Sequence, residues 1–408
     1  MDTLQPKPIQ YIDFLSPDFN ENPYTFYKLM RDYMPLYYHP ITETYVLSRY
    51  EDIAQAFKNP AFTVKNYEFQ SQPLHGRTII EMEGAEHSHH RNVVAPALRG
   101  QELAHTMIPI IERVAAQVME GFRNKQEIDF ASEFSACFPI QVIAGILGLE
   151  DKDGDSFLKW YRSFVAFIGN LNQDQQIIEA AFLTKAEIEA HLIPIIQERR
   201  RNPQGDILSR LCTAEIDGYQ MSDQEIRGFV SLLITAGAES TDKMFTLLMR
   251  NLLLHPEQLL AVRENRELIP LAFAETLRFS PPTQSIMRIT SEEVEVSGGT
   301  IPANAKVLLW IGSAQRDERR FENPDEFNIF RKDLNFSKAF TASADHLAFG
   351  GGRHFCLGAM LAKAEVEIAL NKIFDHLIDI RVAPNQEFCE SGIFTRGIPS
   401  LRIQYQYQ

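Results

Sequence analysis

One segment of the chain combines an aromatic residue, glycines, a histidine and a cysteine. Phe349 is followed by three glycines at 350–352, and His354 precedes Cys356 by two positions. Consecutive glycines let the backbone approach a bulky group closely. Apolar residues then repeat at helical spacing over Leu357–Leu370, so we expect Cys356 to begin a helix. Because a helix N-terminus lowers the pKa of a thiol, this pattern predicts a thiolate presented by a glycine-rich loop to a flat macrocycle.

Two alternatives for this segment are a nucleotide-binding loop and a buried structural cysteine. A phosphate-binding loop typically carries Lys followed by Ser or Thr, and Rossmann glycines lie directly between a strand and a helix. Neither alternative explains why Phe349, His354 and Cys356 occur together.

A second pattern indicates one unusually long helix with an acid and hydroxyls at its centre. Ser222 and Glu225 form a capping box, and the apolar repeat ends at Leu254 before His255-Pro256. A helix over Asp223–Leu254 would be about 48 Å long and must cross the molecule. Its middle reads Ala-Gly-Ala-Glu-Ser-Thr at 236–241, which suits a local opening for a ligand or water. Taken alone, this segment favours the simpler alternative, an ordinary kink with a solvated Glu239.

A third pattern places Glu275 and Arg278 on one face of a helix. The helix is predicted to start near Pro270 and to stop at Ser280-Pro281. An exposed pair of this kind contributes little to stability. The neighbouring positions are mostly apolar, so burial is plausible, and a buried pair needs further partners.

The remaining chain predicts a mainly α protein with a minor β component. Residues 101–260 have mostly helical periodicity, while alternation predicts strands at 286–289, 294–296 and 307–311. The segment 391–405 is predicted to form a short hairpin.

Composition excludes several classes of protein. The chain has 408 residues, with 40 Lys plus Arg against 54 Asp plus Glu, a formal net charge of −14, which argues against nucleic-acid binding. Its four cysteines form no Cys-x-x-Cys pair, so zinc ribbons are not expected. The charge-free stretch Phe134–Leu149 is too short for a membrane span. Residues 1–14 lack the features of a signal peptide. We therefore expect a cytoplasmic protein, and a monomer.

Together these segments resemble the cytochrome P-450 family of soluble, bacterial type. The family's haem loop, Phe-Gly-x-Gly-x-His-x-Cys-x-Gly, is matched by Phe349–Gly358, and its Glu-x-x-Arg by Glu275 and Arg278. The oxygen-activating helix motif is matched at 236–240. Further matches, in the family's order, are His87, Arg91, Arg288 and the block Phe321, Pro324, Phe327 and Arg331.

The resemblance implies a cytochrome P-450 fold over 1–408, a single domain whose long central helix crosses the haem. Cys356 would be the axial ligand of the haem iron, and Glu239, Ser240 and Thr241 would deliver protons for oxygen activation. The other residues implied to bind haem b are His87, Arg91, Arg288, His354, Phe349, Gly350 and Ala236. Glu275, Arg278 and Arg331 would form a buried structural network.

The implied reaction inserts one oxygen atom from O₂ into a hydrophobic small molecule, by hydroxylation or epoxidation, in secondary metabolism. By resemblance, the substrate pocket would contain Phe69, Leu74, Leu233, Ala236, Gln284, Ile286, Phe394 and Thr395. Electrons would come from NAD(P)H through a separate reductase with a ferredoxin or flavodoxin, because 356–408 carries no flavin or iron–sulfur motif. Arg99, Arg353 and Lys363 are candidates for a local basic docking patch.

Two other functions remain open from the sequence. One is a haem-thiolate peroxygenase or isomerase, and the other is a haem sensor without turnover. The Glu239-Ser240 pair argues against both, because peroxygenases and isomerases of this type usually lose the acid–alcohol pair and a sensor would not need a proton relay.

The chain departs from the family pattern at two places. Ser240 occupies the position that usually holds threonine; it keeps the hydroxyl but its rotamer is less restricted. The run Glu86–His90 contains three histidines, but adjacent histidines do not define metal geometry, and we expect His89 and His90 to lie mostly at the surface.

Overall fold

The computed structural model describes residues 11–170, 173–216 and 218–408, so most of the N-terminal segment considered above lies outside it. Helices form most of the described chain. The α-helices are α1 (Pro17–Glu21), α2 (Pro23–Tyr33), α3 (Tyr50–Ala56), α4 (Tyr67–Gln70), α5 (Gln72–His75), α6 (Gly84–Val94), α7 (Gly100–Glu102), α8 (Ile108–Glu120), α9 (Phe138–Ile146), α10 (Glu150–Ile168), α11 (Gln175–Arg201), α12 (Ile207–Thr213), α13 (Asp223–Leu254), α14 (Pro256–Glu264), α15 (Ile269–Phe279), α16 (Ile311–Ala314) and α17 (Ala359–His376). Short π-helical or 3₁₀ turns occupy Leu103–Met107, Ala131–Ser135, Arg266–Leu268, Phe336–Lys338 and Gly352–His354.

The strands are short and belong to small sheets. They are β1 (Leu36–His39), β2 (Thr44–Leu47), β3 (Phe62–Thr63), β4 (Glu127–Asp129), β5 (Glu215–Ile216), β6 (Tyr219–Gln220), β7 (Ile286–Thr290), β8 (Val294–Val296), β9 (Gly299–Ile301), β10 (Lys306–Leu309), β11 (Leu377–Val382) and β12 (Arg402–Tyr407). The largest sheet has the order β1-β2-β10-β7-β3, and its strand β7 carries Ile286 and Arg288.

The predicted long helix is confirmed with the bounds that its sequence indicates. In α13 the Ser222 side chain accepts from the Glu225 amide and the Glu225 carboxylate accepts from the Ser222 amide, so both halves of the capping box form. The helix ends at Leu254 because Pro256 begins α14 and its ring cannot continue the backbone ladder. Helices α9, α10, α11 and α15 pack around α13, which buries most of its length.

The fold class, mainly α with a minor β component, is confirmed. Two local predictions differ from the structure. The strand expected to reach Ile311 ends at Leu309, and Ile311 begins the short helix α16. The hairpin expected within 391–405 is reduced to a single antiparallel bridge between Ser391 and Gly397, and β12 pairs with β11 and β4, which are distant in sequence. No helix in the described part of the chain has both the length and the apolar character that crossing a membrane requires.

Candidate active site

A cavity of about 400 Å³ lies between the middle of α13 and the glycine-rich loop before α17. Cys356, Ala236 and Ser240 all line it, together with mostly apolar side chains. Ala236 is exposed although it lies at the centre of a largely buried helix, so its free surface faces this internal space. The cavity therefore brings the thiol, the centre of the long helix and an apolar enclosure into one site.

The loop that presents Cys356 is shaped by its glycines. Gly350 and Gly352 have φ of +69° and +62°, a region that side chains other than glycine rarely adopt. A Cβ on Gly352 would also lie 2.2 Å from the carbonyl oxygen of Phe57, so the loop fits closely against the end of α3. The Cys356 amide donates to the carbonyl of Phe349 at 2.9 Å, which closes the loop.

The expected position of Cys356 at the first turn of a helix is wrong by three residues. Helix α17 begins at Ala359 with Gly358 as its N-cap, and the backbone amides of both residues donate to the Cys356 sulfur. Burial nevertheless raises the pKa of the Cys356 thiol, and the amides and the nearby Arg91 offset this only in part. The predicted lowering of the pKa is therefore wrong for the polypeptide by itself. A coordinating metal ion deprotonates its thiol ligand through its own charge.

A cluster of basic side chains lines one part of the cavity. The rings of His87 and His354 lie 4.4 Å apart, and Arg91 and Arg288 line the cavity beside them. Arg91 donates to the Phe355 carbonyl at 2.8 Å and Arg288 to the carbonyl of the preceding residue. In the described ranges, neither guanidinium forms an ion pair with a carboxylate.

Among the described residues, no carboxylate forms an ion pair with the arginines of this basic cluster. Burial, together with the positive charges of His87, Arg288 and Arg91, lowers the pKa of His354 to about 3. Burial and Arg91 likewise lower the pKa of His87. An uncompensated cationic cluster beside a buried thiol fits an anionic, thiolate-ligated cofactor, and the two propionates of haem meet that requirement.

The acid and hydroxyls of α13 also line the cavity. The Glu239 carboxylate accepts from the Thr395 hydroxyl at 2.6 Å and forms an ion pair with Lys243 at 3.3 Å. Thr241 donates back to the Gly237 carbonyl at 2.9 Å, whereas Ser240 reaches the Ala236 carbonyl only at 3.4 Å. Ser240 is thus the hydroxyl that is held more weakly by its own helix.

Glu275, Arg278 and Arg331 come together in a fully buried network. Two nitrogens of Arg278 donate to the two oxygens of Glu275 at 2.7 and 2.8 Å, and Arg331 lies 3.0 Å from the same carboxylate. The Asn328 amide also donates to Glu275 at 2.9 Å. Burial lowers the pKa of Arg278, and the carboxylate opposes that change.

Half of the residues expected in the substrate pocket line the cavity: Leu233, Ala236, Ile286 and Thr395. The others lie elsewhere. Phe69 is 52% exposed and Leu74 is fully buried in the main apolar core. The Gln284 side chain turns away to accept from the Tyr27 hydroxyl at 2.9 Å, and Phe394 packs against the N-terminal apolar cluster. The sequence could not show these distant contacts.

Several cavity residues have no counterpart in the sequence prediction. Ile79 and Ile80 precede α6 and carry no motif, and Thr283 neighbours the wrongly placed Gln284. Glu365 also lines the cavity, and burial raises its pKa well above the ordinary value. The burial of Glu365 could have been predicted from its position, because it follows Leu361 by four residues and so lies on the apolar face of the same helical repeat.

The expectation that His90 lies at the surface is wrong, and His89 is half-buried. His90 is 7% exposed, and its ring meets the Glu86 carbonyl at 3.0 Å and the Tyr219 hydroxyl at 3.2 Å. The contact with Tyr219 ties α6 to the hairpin β5–β6, which explains the burial.

The sequence is similar to one protein family and to individual bacterial proteins. The profile of the family described as cytochrome P450 matches residues 6–393. The chain is 35% identical to pulcherriminic acid synthase of Bacillus subtilis (strain 168), over 97% of this chain and 98% of that protein. It is 32% identical to a cyclomarin C epoxidase of Salinispora arenicola, over 93% and 94% of the two chains.

Solved structures give the same result for the fold. CYP109E1 from Bacillus megaterium in complex with corticosterone matches with a TM-score of 0.83 and 28% identity, over 95% of this chain and 99% of that chain. P450BioI in complex with an acyl carrier protein ligated to hexadec-9Z-enoic acid matches with a TM-score of 0.85 and 27% identity, over the same shares. With the thiol loop, the central helix and the buried Glu-Arg-Arg network in place, the chain belongs to the cytochrome P450 family.

Proposed function

We propose that this protein is a haem-thiolate monooxygenase that hydroxylates or epoxidises a hydrophobic small molecule of secondary metabolism. The observation that carries the proposal is one apolar cavity containing the Cys356 thiol together with Glu239 and Ser240. A ligand site for haem and an acid–alcohol pair are both needed for oxygen insertion, and a passive haem carrier needs only the first. We treat 1–408 as one catalytic domain.

Cys356 is the proposed axial ligand of haem iron, and the basic cluster holds the propionates. Haem bound through a thiolate supplies the oxygen chemistry, since the thiolate donates electron density that favours O–O cleavage. His87, Arg91, Arg288 and His354 are placed to donate charge-assisted or neutral hydrogen bonds to propionate oxygens. Phe349, Gly350 and Ala236 line the same space without a polar side chain, which lets a flat ring system lie against them.

Glu239 and Ser240 are the proposed proton donors, with Thr241 as a second hydroxyl. The weak 3.4 Å contact of Ser240 with its own helix leaves its hydroxyl able to turn toward the cavity. Thr241 is more firmly committed to the Gly237 carbonyl at 2.9 Å. Glu239 keeps a carboxylate at the cavity wall while Thr395 and Lys243 fix its position.

The substrate is proposed to be apolar with few hydrogen-bonding groups. Ile79, Ile80, Leu233 and Ile286 offer aliphatic surface, and Thr283 adds a hydroxyl. The named activities of the two curated relatives, synthesis of pulcherriminic acid and epoxidation of cyclomarin C, support secondary metabolism.

Electrons are proposed to come from NAD(P)H through a separate cytoplasmic ferredoxin or flavodoxin system. Arg99 and Arg353 are exposed, and both act electrostatically on the residues around Cys356. Lys58 is also exposed, and its backbone lies close to Gly352, so it joins this patch. Lys363 is paired with Glu367 at 3.2 Å and contributes less free charge. Reversing the charge of Arg353 should slow reduction at low salt more than at high salt.

The test of the proposal is the absorption spectrum of the reduced carbon monoxide complex. We expect the red-shifted Soret band of a thiolate-ligated haem in the wild type and its loss in Cys356→Ala. Cys389→Ala is the matched control, because Cys389 is exposed and outside the cavity. A thiolate band that survives in Cys356→Ala would overturn the ligand assignment. Product formation with a surrogate reductase then separates a monooxygenase from a haem carrier.

A further inference from the structure

A group of basic side chains is buried where α5, α11 and α13 pack together. His75 of α5 is 2% exposed and Arg227 of α13 is 5% exposed, while Lys185 of α11 is half-buried. Burial lowers the pKa of both Arg227 and Lys185. Burial and these two cations together lower the pKa of His75 to about 3. We call the three residues the helix-junction cluster, and it concentrates two positive charges in a poorly solvated place.

The helix-junction cluster has little negative charge near it. Among the described residues, no carboxylate forms an ion pair with Arg227 or Lys185. The acid that acts on both is Glu189, but its carboxylate accepts a hydrogen bond from Gln224 at 3.0 Å. Lys185 donates to the backbone carbonyl of Pro73 at 2.8 Å, which satisfies one donor without neutralising the charge. Because a buried cation without a partner is costly, the cluster favours an anion that the described residues do not supply.

The guanidinium of Arg227 has one free edge. Its Nη1 donates to the Leu74 carbonyl at 3.3 Å, whereas Nε is buried and has no hydrogen-bond partner in the described part of the chain. Nη2 lies 3.4 Å from the place that a Cβ on Gly76 would take, so glycine leaves the approach to this nitrogen open. Nε and Nη2 form the parallel pair of donors with which an arginine binds a carboxylate through two hydrogen bonds. The free edge therefore has the shape of a carboxylate site.

The helix-junction cluster lies at one end of the active-site cavity. On α13, Arg227 precedes Phe229 by two residues, and Phe229 lines the cavity. On the segment that follows α5, Ile79 lines the cavity four residues after His75. The α13 wall of the cavity continues to Ser240, which is about 20 Å along the helix axis from Arg227. The cluster and the proposed proton donors are therefore at opposite ends of one largely apolar wall.

We propose that Arg227 and Lys185 bind the carboxylate of an elongated apolar substrate, so that the substrates of this protein are amphipathic acids. The inference rests on the proposed function and names its substrate class. The Nε–Nη2 edge of Arg227 donates two parallel hydrogen bonds to the carboxylate, and Lys185 adds a second positive charge. The apolar body of the substrate extends past Phe229 and Leu233 toward Ser240. A neutral molecule of the same shape leaves the cluster unpaired and binds more weakly.

The first test measures ligand binding to the haem-containing protein through the spin-state shift of the Soret band. The probes are tetradecanoic acid and tetradecanol, which differ only in the end group. We expect the acid to bind at least about tenfold more tightly than the alcohol, the lower end of what a hydrogen bond to a charged group contributes. Arg227→Met should abolish this preference without weakening the binding of the alcohol.

Two further variants complete the first test. Lys185→Met changes a half-buried side chain, so it should reduce the preference for the acid even if Arg227→Met does not fold. Arg210→Met is the matched control, because Arg210 pairs with Glu102 at 3.7 Å and does not line the cavity. Equal affinities for acid and alcohol in the wild type, or a preference that neither Arg227→Met nor Lys185→Met lowers, would overturn the proposal.

The second test follows the carboxylate itself. Tetradecanoic acid labelled with ¹³C at the carboxyl carbon is bound to the diamagnetic reduced carbon monoxide complex, and its signal is titrated with pH. The bound acid should stay ionised to lower pH in the wild type than in Arg227→Met, because the guanidinium stabilises the carboxylate. Identical titrations in the two proteins contradict the carboxylate site.

Labelled acetate separates a substrate site from a site for free anions. Acetate should show no signal that depends on Arg227, because it lacks the apolar body that lies along α13. An Arg227-dependent acetate signal as strong as that of the long-chain acid would overturn the substrate assignment. If the acid is not preferred but the thiolate band and the turnover of a neutral substrate persist, the monooxygenase assignment stands and only the carboxylate site fails.

Discussion

The buried carboxylates of Glu275 and Glu239 lie on neighbouring helices but differ in the number of groups that donate hydrogen bonds to them. Glu275 has no exposed surface and accepts from both Arg278 nitrogens and the Asn328 amide, with Arg331 at 3.0 Å. Glu239 has one neutral hydroxyl and one ammonium as partners, and its remaining surface faces a cavity. The first site is saturated with donors, while the second keeps accepting capacity for water or a proton.

The difference shows which acid supports the fold and which can take part in chemistry. A saturated buried carboxylate cannot accept a proton without breaking several charge-assisted bonds at once. An unsaturated carboxylate next to a water-sized space can change its proton content at smaller cost. Four predictions address this comparison.

The largest effect is expected at the saturated site. Glu275→Gln leaves Arg278 buried without a carboxylate partner and leaves Arg331 paired only with Asp333, which should lower the free energy of unfolding by about 3–5 kcal/mol. A loss of this size is a large fraction of the ~5–15 kcal/mol by which a typical protein is stable. We therefore expect little folded protein that contains haem. Urea unfolding and Soret absorbance per chain measure the result.

The control for this prediction is Glu326→Gln. Glu326 is exposed, and only its backbone carbonyl contacts Arg278, at 2.8 Å. Its substitution should change stability by less than about 0.5 kcal/mol. Equal unfolding midpoints for the two variants would show that the Glu275 carboxylate does not stabilise the fold.

The second prediction concerns the unsaturated site. Glu239→Gln should leave the fold and the Soret spectrum intact, because the amide oxygen can still accept from Thr395. Turnover should fall about 10²-fold, the lower end of the contribution of a general acid. Oxygen consumption and product analysis with a surrogate reductase provide the measurement. Full activity in this variant would show that Glu239 is only a structural partner of Lys243.

The third prediction uses the pKa of Asp242, which is raised from 3.8 to about 6. In the folded protein Asp242 holds its proton to higher pH than in the unfolded chain. The contribution of Asp242 to the free energy of unfolding therefore falls as the pH rises from about 4 through about 6. Above that range it stays at its lower value. Asp242→Asn should be more stable than wild type by on the order of 2–3 kcal/mol at pH 7.5 and nearly equal to it at pH 4. Unfolding curves at both pH values decide the matter, and a difference independent of pH would refute the assignment.

The smallest effect is expected at Ser240. Ser240→Thr keeps the hydroxyl but restricts its rotamer, so product yield per electron pair should change by no more than about twofold. Ser240→Ala removes the hydroxyl and should reduce the yield more than Ser240→Thr does. Peroxide release beside product formation measures both. If the alanine variant matches the threonine variant, the proton must pass through Thr241 or water instead.

Motif residues could be predicted well from sequence, because local spacing and helix periodicity fix them. The capping box and Pro256 define both ends of α13, and the Glu275–Arg278 pair follows from three-residue spacing on one helix. Residues whose surroundings depend on distant parts of the chain could not be predicted. Gln284 is held by Tyr27, which precedes it by more than 250 positions.

The same reason explains the two errors around Cys356 and in the tail. Periodicity cannot distinguish the residues before an N-cap from the first turn of the helix, so it predicts that α17 starts three residues too early. It also cannot reveal that burial outweighs local amides at the thiol. In the tail, alternation predicts a strand but does not identify β11 and β4 as its partners.

The fit of Gly352 against Phe57 has a consequence for the order of assembly. The two residues are separated by roughly 300 positions, so their contact closes a loop that contains most of the chain and carries a high loop-closure cost. The left-handed backbone of the cysteine loop is thus stabilised only after the N-terminal sheet region and the C-terminal third have met. We expect haem to be captured late in folding, by a nearly complete molecule, and its retention to report on whether both ends of the chain have come together.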